Sequence, residues 1–197
     1  MIQLRDPDDP ELQPSSDLAV ARRHIESAVP GSAPHEAARK EMLAFLDQHP
    51  DALLRSCTEG HLTGSAMVVD PTTRAFLLIL HAKVGRWLQP GGHADGDAAL
   101  PGVALKEATE ETGIAGLRVA TPAIDLDVHR FVAPNEPTHL HFDVRYLVIA
   151  PPGAEPAGNH ESHDLGWFSL DELEGLGTDL GTQRLARSAL DALTELG

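Results

Sequence analysis

The sequence predicts helices packed on one mixed β-sheet, an α+β or α/β layering, and three observations predict it. Helical-period segments lie at both ends and once in the middle. β-rich, period-two segments lie between them. The first two of these, residues 62–69 and 75–81, are joined by Asp70-Pro71-Thr72-Thr73-Arg74, which reads as a hairpin, so the sheet begins antiparallel. Mixed order of this kind places helices against the faces of a single sheet. At 197 residues and 42% hydrophobic content, the chain can bury one good core and a small appendage.

The elements follow in order. Residues 1–16 are rich in Asp and Pro and read as an extended arm. Ser16-Asp17 opens a helix running to Val29, with Leu18, Val20, Ala21, Ile25 and Val29 at helical spacing. Pro30-Gly31-Ser32-Ala33-Pro34 breaks it. A second helix over 35–49 carries Ala38, Met42, Phe45 and Leu46 on one side and ends at Pro50. After the hairpin, residues 86–89 make a short strand entering the glycine turn Pro90-Gly91-Gly92. A helix over 99–112 tolerates Pro101 in its first turn. Strands are expected at 118–120, 124–131 and 139–150, stopped by Pro151-Pro152-Gly153. After a polar loop over 153–165, Gly166-Trp167-Phe168 forms a short strand. Ser169 then caps a short helix with Glu172 three residues on, a capping box. An amphipathic helix over 183–196 closes the chain. The division expected is an N-terminal arm and helical extension, 1–58, and a main domain, 59–197.

Charge and cysteine content exclude several functions. Net charge is −15, from 30 acidic and 15 basic residues, whereas binding to duplex nucleic acid or a membrane surface needs a basic footprint. The lone cysteine, Cys57, cannot form an internal disulfide and supports no cysteine metal motif. No apolar run approaches membrane-spanning length and no N-terminal stretch reads as a signal, so a cytoplasmic location is expected.

The most informative feature is Glu107, Glu110 and Glu111 in Leu105-Lys106-Glu107-Ala108-Thr109-Glu110-Glu111-Thr112-Gly113. Spacings of three and four place these acids on one helix face. Each like-charge pair costs about 0.2–0.5 kcal/mol, and acids near a helix C-terminus oppose its dipole. Gly113 is the natural residue to end the helix. A solvated acidic face is one explanation; a site for a hard divalent cation, Mg2+ or Mn2+, is the other.

Gly92 to Ile114 resembles the Nudix box, G-x5-E-x7-R-E-U-x-E-E-x-G-U, with U an aliphatic residue. Counting from Gly92, Lys106 takes the arginine position, Glu107 the adjacent glutamate, Glu110-Glu111 the paired acids, and Gly113-Ile114 the closing pair. Pro90-Gly91-Gly92 before the box and the Trp167-Phe168 segment after the last core strand agree with the likeness, which spans roughly residues 60 to 175. It implies a Nudix fold, an α/β/α sandwich of the α+β class with a mixed central sheet, plus an N-terminal helical extension. It also implies Mg2+ or Mn2+ held by Glu107, Glu110 and Glu111, with Lys106 orienting them. The box departs at its first glutamate, which falls on Ala98. Asp97, one residue earlier, is the expected stand-in ligand. Lys106 keeps the positive charge of arginine without its planar fork.

Further candidates lie outside the box. Along His139-Leu140-His141-Phe142-Asp143-Val144-Arg145-Tyr146, strict alternation puts His139, His141, Asp143 and Arg145 on one face. His141, Asp143 and Arg145 are candidates for substrate binding, with Arg145 on a phosphate; a solvated face is the alternative. Asp125, Asp127 and His129 repeat the alternation, and with His81 and His93 they raise a histidine metal site. Gly91 and Gly92 would allow close backbone approach. Trp87 would stack on a base or pack internally. Glu161 is a second candidate catalytic base beside Glu107. The resemblance implies a hydrolase cleaving a pyrophosphate bond in a small nucleoside-diphosphate-linked substrate. Alternatives are a non-catalytic nucleotide or sugar-nucleotide sensor and, less favoured, an isopentenyl-diphosphate isomerase, which would need a catalytic cysteine. The N-terminal helices would cover the cleft, form a homodimer surface or only pack.

Overall fold

The computed structural model describes residues 1–82, 85–132, 137–157 and 162–196. Strand β1 (Gln3–Arg5) is followed by a 3-10 turn, Pro10–Leu12, and helices α1 (Leu18–Ser27) and α2 (Ala33–Gln48). The Asp17 carboxylate caps α1 by accepting the Ala19 N–H at 2.9 Å. Then come β2 (Gly60–Val69), β3 (Phe76–His81), β4 (Trp87–Leu88), β5 (Gly91–His93) and helix α3 (Leu100–Thr112). The chain continues through β6 (Arg118–Thr121), β7 (Asp125–Phe131), β8 (His139–Ile149), β9 (Ser162–Phe168), α4 (Leu170–Gly175) and α5 (Leu180–Leu196).

The strands form one mixed sheet ordered β1-β6-β8-β2-β3-β4, with β5 added to β2, β7 to β8 and β9 to β3. Its centre is the parallel β2–β8 pair, in register from Gly60 opposite Leu140 to Val69 opposite Ile149. The other pairings are antiparallel. Both central strands are covered on two faces, and every residue of β2 is buried. On one face Leu62, Ala66, Phe142, Val144 and Tyr146 pack with α1, α2 and α3; on the other Met67, Val69, Leu147 and Ile149 pack with α4 and α5. This is the sandwich the sequence predicts.

One expectation is corrected. The first residues are not a free arm, because β1 pairs with β6, and Leu12 of the 3-10 turn is buried in the core. Helices α1 and α2 pack directly on the sheet. Ile25, Met42 and Phe45 share one apolar cluster with the sheet, and Phe45 stacks on Phe142 at 4.0 Å between ring centroids. The last strand also begins earlier than the Trp-Phe segment suggests, pairing with β3 from Ser162 onward. Alternation along β9 then sends Trp167 to one apolar layer and Phe168 to the other.

Helix α3 reaches the sheet over a glycine. A Cβ on Gly64 would lie 2.9 Å from the Leu100 carbonyl oxygen and 3.2 Å from the Ala104 nitrogen, both backbone atoms. Gly64→Ala is therefore expected to cost about 1–3 kcal/mol by overpacking. Gly175→Ala, whose added methyl meets nothing within 4 Å, should leave stability unchanged or raise it by up to about 1 kcal/mol. Urea unfolding of the two variants checks the contrast.

Candidate functional site

Helix α3 ends where its sequence dictates, at Gly113 with φ of 67°, and its last turns carry the acids. Glu111 is buried, 3% exposed, and its Oε2 accepts the Gly91 N–H at 3.0 Å. Strand β5 places that amide by pairing Gly91 with Ser65 and Gly92 with Gly64. Both glycines are required. A Cβ on Gly92 would lie 2.5 Å from the Glu107 carboxyl carbon, and one on Gly91 would overlap Ser65 Oγ. Lys106 Nζ lies 3.5 Å from Glu107 Oε1 and 3.8 Å from Glu110 Oε2. It thus bridges the acids as a point charge, and being largely exposed it adds little stability. Glu111 is fixed, Glu107 is wedged against β5, and Glu110 is the most exposed of the acids.

Asp97 is held through one carboxylate oxygen. Its Oδ1 accepts the Ala99 N–H at 2.9 Å and the Ser15 N–H at 3.0 Å, a local turn just before α3 that ties the N-terminal segment to it. Ala98, at the first box-glutamate position, is fully buried and donates its N–H to the Ser15 carbonyl. The carboxylates of Glu107, Glu110 and Glu111 are hard oxygen donors of the kind Mg2+ and Mn2+ prefer, and one is pre-oriented by a backbone amide. They fit such an ion by chemistry. Among the described residues, however, neither group of ligand atoms already gathered within 4.8 Å contains an α3 acid or Asp97.

On the polar face of the sheet, Arg145 is engaged by carboxylates of the protein itself. Arg145 is 3% exposed and spans three carboxylates: Nε to Asp143 at 2.6 Å, Nη1 to Asp125 at 3.3 Å and Nη2 to Asp127 at 3.0 Å. Asp143 also accepts the Thr63 and Ser65 hydroxyls at 2.8 Å each. Arg184 of α5 completes the cluster, reaching Asp125 at 2.9 Å and Asp127 at 2.7 Å. Burial disfavours the Asp125 and Asp127 carboxylates. The neighbouring His35 and His129 rings and the two arginines more than offset it and hold both acids below the ordinary range.

The remaining candidates separate. His141 joins His61, His93 and His139 rather than the α3 acids. Trp87 packs edge-on against Phe168 at 4.9 Å, the internal alternative. Cys57 is buried in the core with its thiol pKa pushed up by burial, so it is no nucleophile for isomerase chemistry. Glu161 lies outside the described residues. Sequence reading missed Thr63, Ser65, His61 and Arg184. The first three had a signal, alternate polar residues on an otherwise apolar strand.

The NUDIX domain family model matches residues 61–188, more than half of the chain. The chain belongs to the Nudix family. A curated Nudix relative, the Escherichia coli K12 protein named Phosphatase NudJ, is 33% identical over 82 residues, covering 42% of this chain and 46% of that protein. The chain thus matches about half the length of the curated relatives. Among solved structures, a Caenorhabditis elegans Ap4A hydrolase superposes with a TM-score of 0.56 at 16% identity, covering 68% of this chain and 98% of its own. The E. coli dihydroneopterin triphosphate pyrophosphohydrolase gives 0.53 at 13% identity, covering 66% of this chain and 95% of its own. Likeness at these identities establishes the Nudix fold alone. Among the described residues no helix is long and apolar enough to cross a membrane.

Arg145→Met would leave the buried Asp143 carboxylate without a cation and Asp125 and Asp127 with Arg184 alone, and is expected to cost about 3–5 kcal/mol at pH 7. Because Asp125 and Asp127 are depressed on folding, their stabilising contribution is complete above about pH 4, their unfolded range, and is lost as pH falls below it. The wild-type protein should therefore weaken on acidification below about pH 4, and the deficit of Arg145→Met should shrink there. Denaturant unfolding from pH 7 to pH 3 measures both.

Proposed function

We propose that the protein is a Mg2+- or Mn2+-dependent hydrolase that cleaves the pyrophosphate bond of a small nucleoside-diphosphate-linked molecule. The observation that carries the reading is the Glu111 carboxylate, buried and held at 3.0 Å by the Gly91 amide, on the helix face it shares with Glu107 and Glu110. Membership of the Nudix family supports it. The hydrolase names of the relatives agree. Glu107, Glu110 and Glu111 would hold the ion. Once bound, such an ion reverses the local sign for an anionic substrate, acidifies water and stabilises the leaving oxygen.

The chain's own residues supply positioning. Gly91 fixes the Glu111 side chain, so its orientation costs nothing further when substrate arrives. Gly92 brings β5 against Glu107, where a Cβ would displace the carboxylate. Glu107 is our candidate for the base, with Lys106 Nζ 3.5 Å from it and 3.8 Å from Glu110. The substrate is a small molecule, consistent with a net charge of −15 that disfavours long polyanions.

A second reading, a sensor that binds a nucleotide-like ligand without turnover, is favoured by Ala98, fully buried at the first box-glutamate position. A panel of nucleoside diphosphate derivatives with Mg2+ or Mn2+ separates the two. Hydrolysis of a panel member, reduced by at least ~100-fold in a folded Glu111→Gln variant, is the expected result. Undiminished turnover in that variant would sink the assignment, and a ligand-induced rise in Tm without turnover would establish the sensor. A narrower expectation concerns Asp97. Asp97→Asn keeps a side-chain oxygen that can accept the Ala99 and Ser15 N–H groups and should retain activity within about threefold.

A further inference from the structure

Four histidines from three strands converge beside the box glycines. His61 lies on β2, His93 directly follows Gly92 on β5, and His139 and His141 lie on β8. Each offers a ring nitrogen, and these atoms all lie within 4.8 Å of one another. The register explains the meeting: His61 is opposite His141, and His93 is opposite Thr63, the next residue on that face of β2. We propose that His61, His93, His139 and His141 form a binding site for a borderline transition-metal ion of the Zn2+ class, separate from the acids of α3.

The strongest observation is His61. It is 3% exposed, and neither Nδ1 nor Nε2 has a hydrogen-bond partner. An unsatisfied buried polar atom is destabilising, a cost that ligation removes. The Cys57 backbone lies on one side of the ring without hydrogen-bonding geometry. A second observation is the orientation of His139. Its Nδ1 is 2.8 Å from the Pro137 carbonyl oxygen, which can only accept, so Nδ1 carries the proton and Nε2 presents a lone pair. That is the outer hydrogen bond by which metal-ligating histidines are commonly oriented. Nε2 of His139 and Nε2 of His141 then stand 3.1 Å apart. Nitrogens bound about 2.0–2.1 Å from a tetrahedral ion would be separated by about 3.3 Å.

The surroundings favour neutral rings. Burial lowers the pKa of His93 to about 4 and that of His141 to about 2, and it lowers that of His61 as well. The Phe131 ring stacks on His141 at 4.5 Å and 14°, screening that side from water. Neutral imidazoles suit zinc, nickel or copper and not magnesium, which prefers oxygen. Four protein ligands fill a tetrahedral ion, so the site is structural. It would clamp β5 to β2 and β8, and so fix the Gly91 amide that orients Glu111.

Titration of the metal-free full-length chain with Zn2+, competed against a chromophoric chelator, tests the proposal, and Co2+ absorption reports the geometry. One equivalent per chain with tetrahedral Co2+ bands is expected, with Tm rising roughly 5–10 °C at a hundredfold excess over Kd. His93→Asn and His139→Asn, both at partly exposed positions, should each weaken binding by more than the ~10–100-fold typical of losing a ligand's outer partner. His61→Phe keeps an aromatic ring in place of the unpartnered imidazole and should fold without binding. Glu111→Gln should bind Zn2+ as wild type does, so this site and the hydrolase reading fail separately. No stoichiometric binding, binding unchanged in the histidine variants, or binding lost in Glu111→Gln would each overturn the proposal.

Discussion

The parallel pairing of β2 with β8 is the constraint on which the rest depends. Strand residues alternate between faces, so one register decides the composition of both sides of the sheet at once. Gly60 opposite Leu140 puts His61 beside His141, Thr63 beside Asp143 and Ser65 beside Arg145. It also puts Leu62 beside Phe142 and Gly64 beside Val144 on the opposite side, where α3 packs. A slip of one residue would bury the histidines and Asp143 under α3 and turn Phe142 toward the polar layer. No intermediate arrangement satisfies both faces.

That register makes one sheet face carry three kinds of chemistry in sequence along the strands. Farthest along, Met67 and Leu147 meet the apolar side of α5. Next, Arg145 and Arg184 neutralise Asp125, Asp127 and Asp143 across three elements. Nearest the box, the histidines gather. The middle layer explains how a protein of net charge −15 keeps three acids on one buried face: the arginines are multidentate, and the Thr63 and Ser65 hydroxyls satisfy the remaining lone pairs on Asp143. A buried ion cluster adds little net stability against an apolar equivalent, but breaking it is costly. Its effect here is to fix the position of α5 on the sheet.

The fold was largely legible because periodicity is a local signal. Alternation in β7 and β8, the Asp17 cap and the Gly113 stop each sit within a few residues of the structure they determine. What escaped was set by contacts distant in sequence. Strand β1 is only Gln3–Arg5, too short to show a period, and its pairing with β6 cannot be read locally. The site divides in the same way. Glu107, Glu110 and Glu111 were readable from one helix turn and a counted spacing. For Arg145, alternation gave its face but not its neighbours: a polar strand face reads the same whether it borders solvent or three carboxylates. The histidine cluster shows the converse. Residues 139 and 141 were visible, but His61 stands in the apolar run of β2 and becomes meaningful only when β8 lies beside it.

The departure at Ala98 acquires a physical reason in this frame. Its side chain is fully buried, its N–H is bound to the Ser15 carbonyl, and Oδ1 of Asp97 accepts from Ser15 and Ala99. The N-terminal segment therefore occupies the ground from which a longer acid at this position would reach across. In exchange, the start of α3 is held from outside the box, by residues the box does not specify. Orientation of the acids then comes from the opposite direction, through β5, whose Gly91 amide binds Glu111. A short strand of three residues has few hydrogen bonds of its own with which to resist displacement. Its neighbour His93 belongs to the histidine cluster, and whatever immobilises that ring also immobilises the amide two residues before it. The lost acid and the gained histidines thus bear on the same quantity, the precision with which Glu111 is placed.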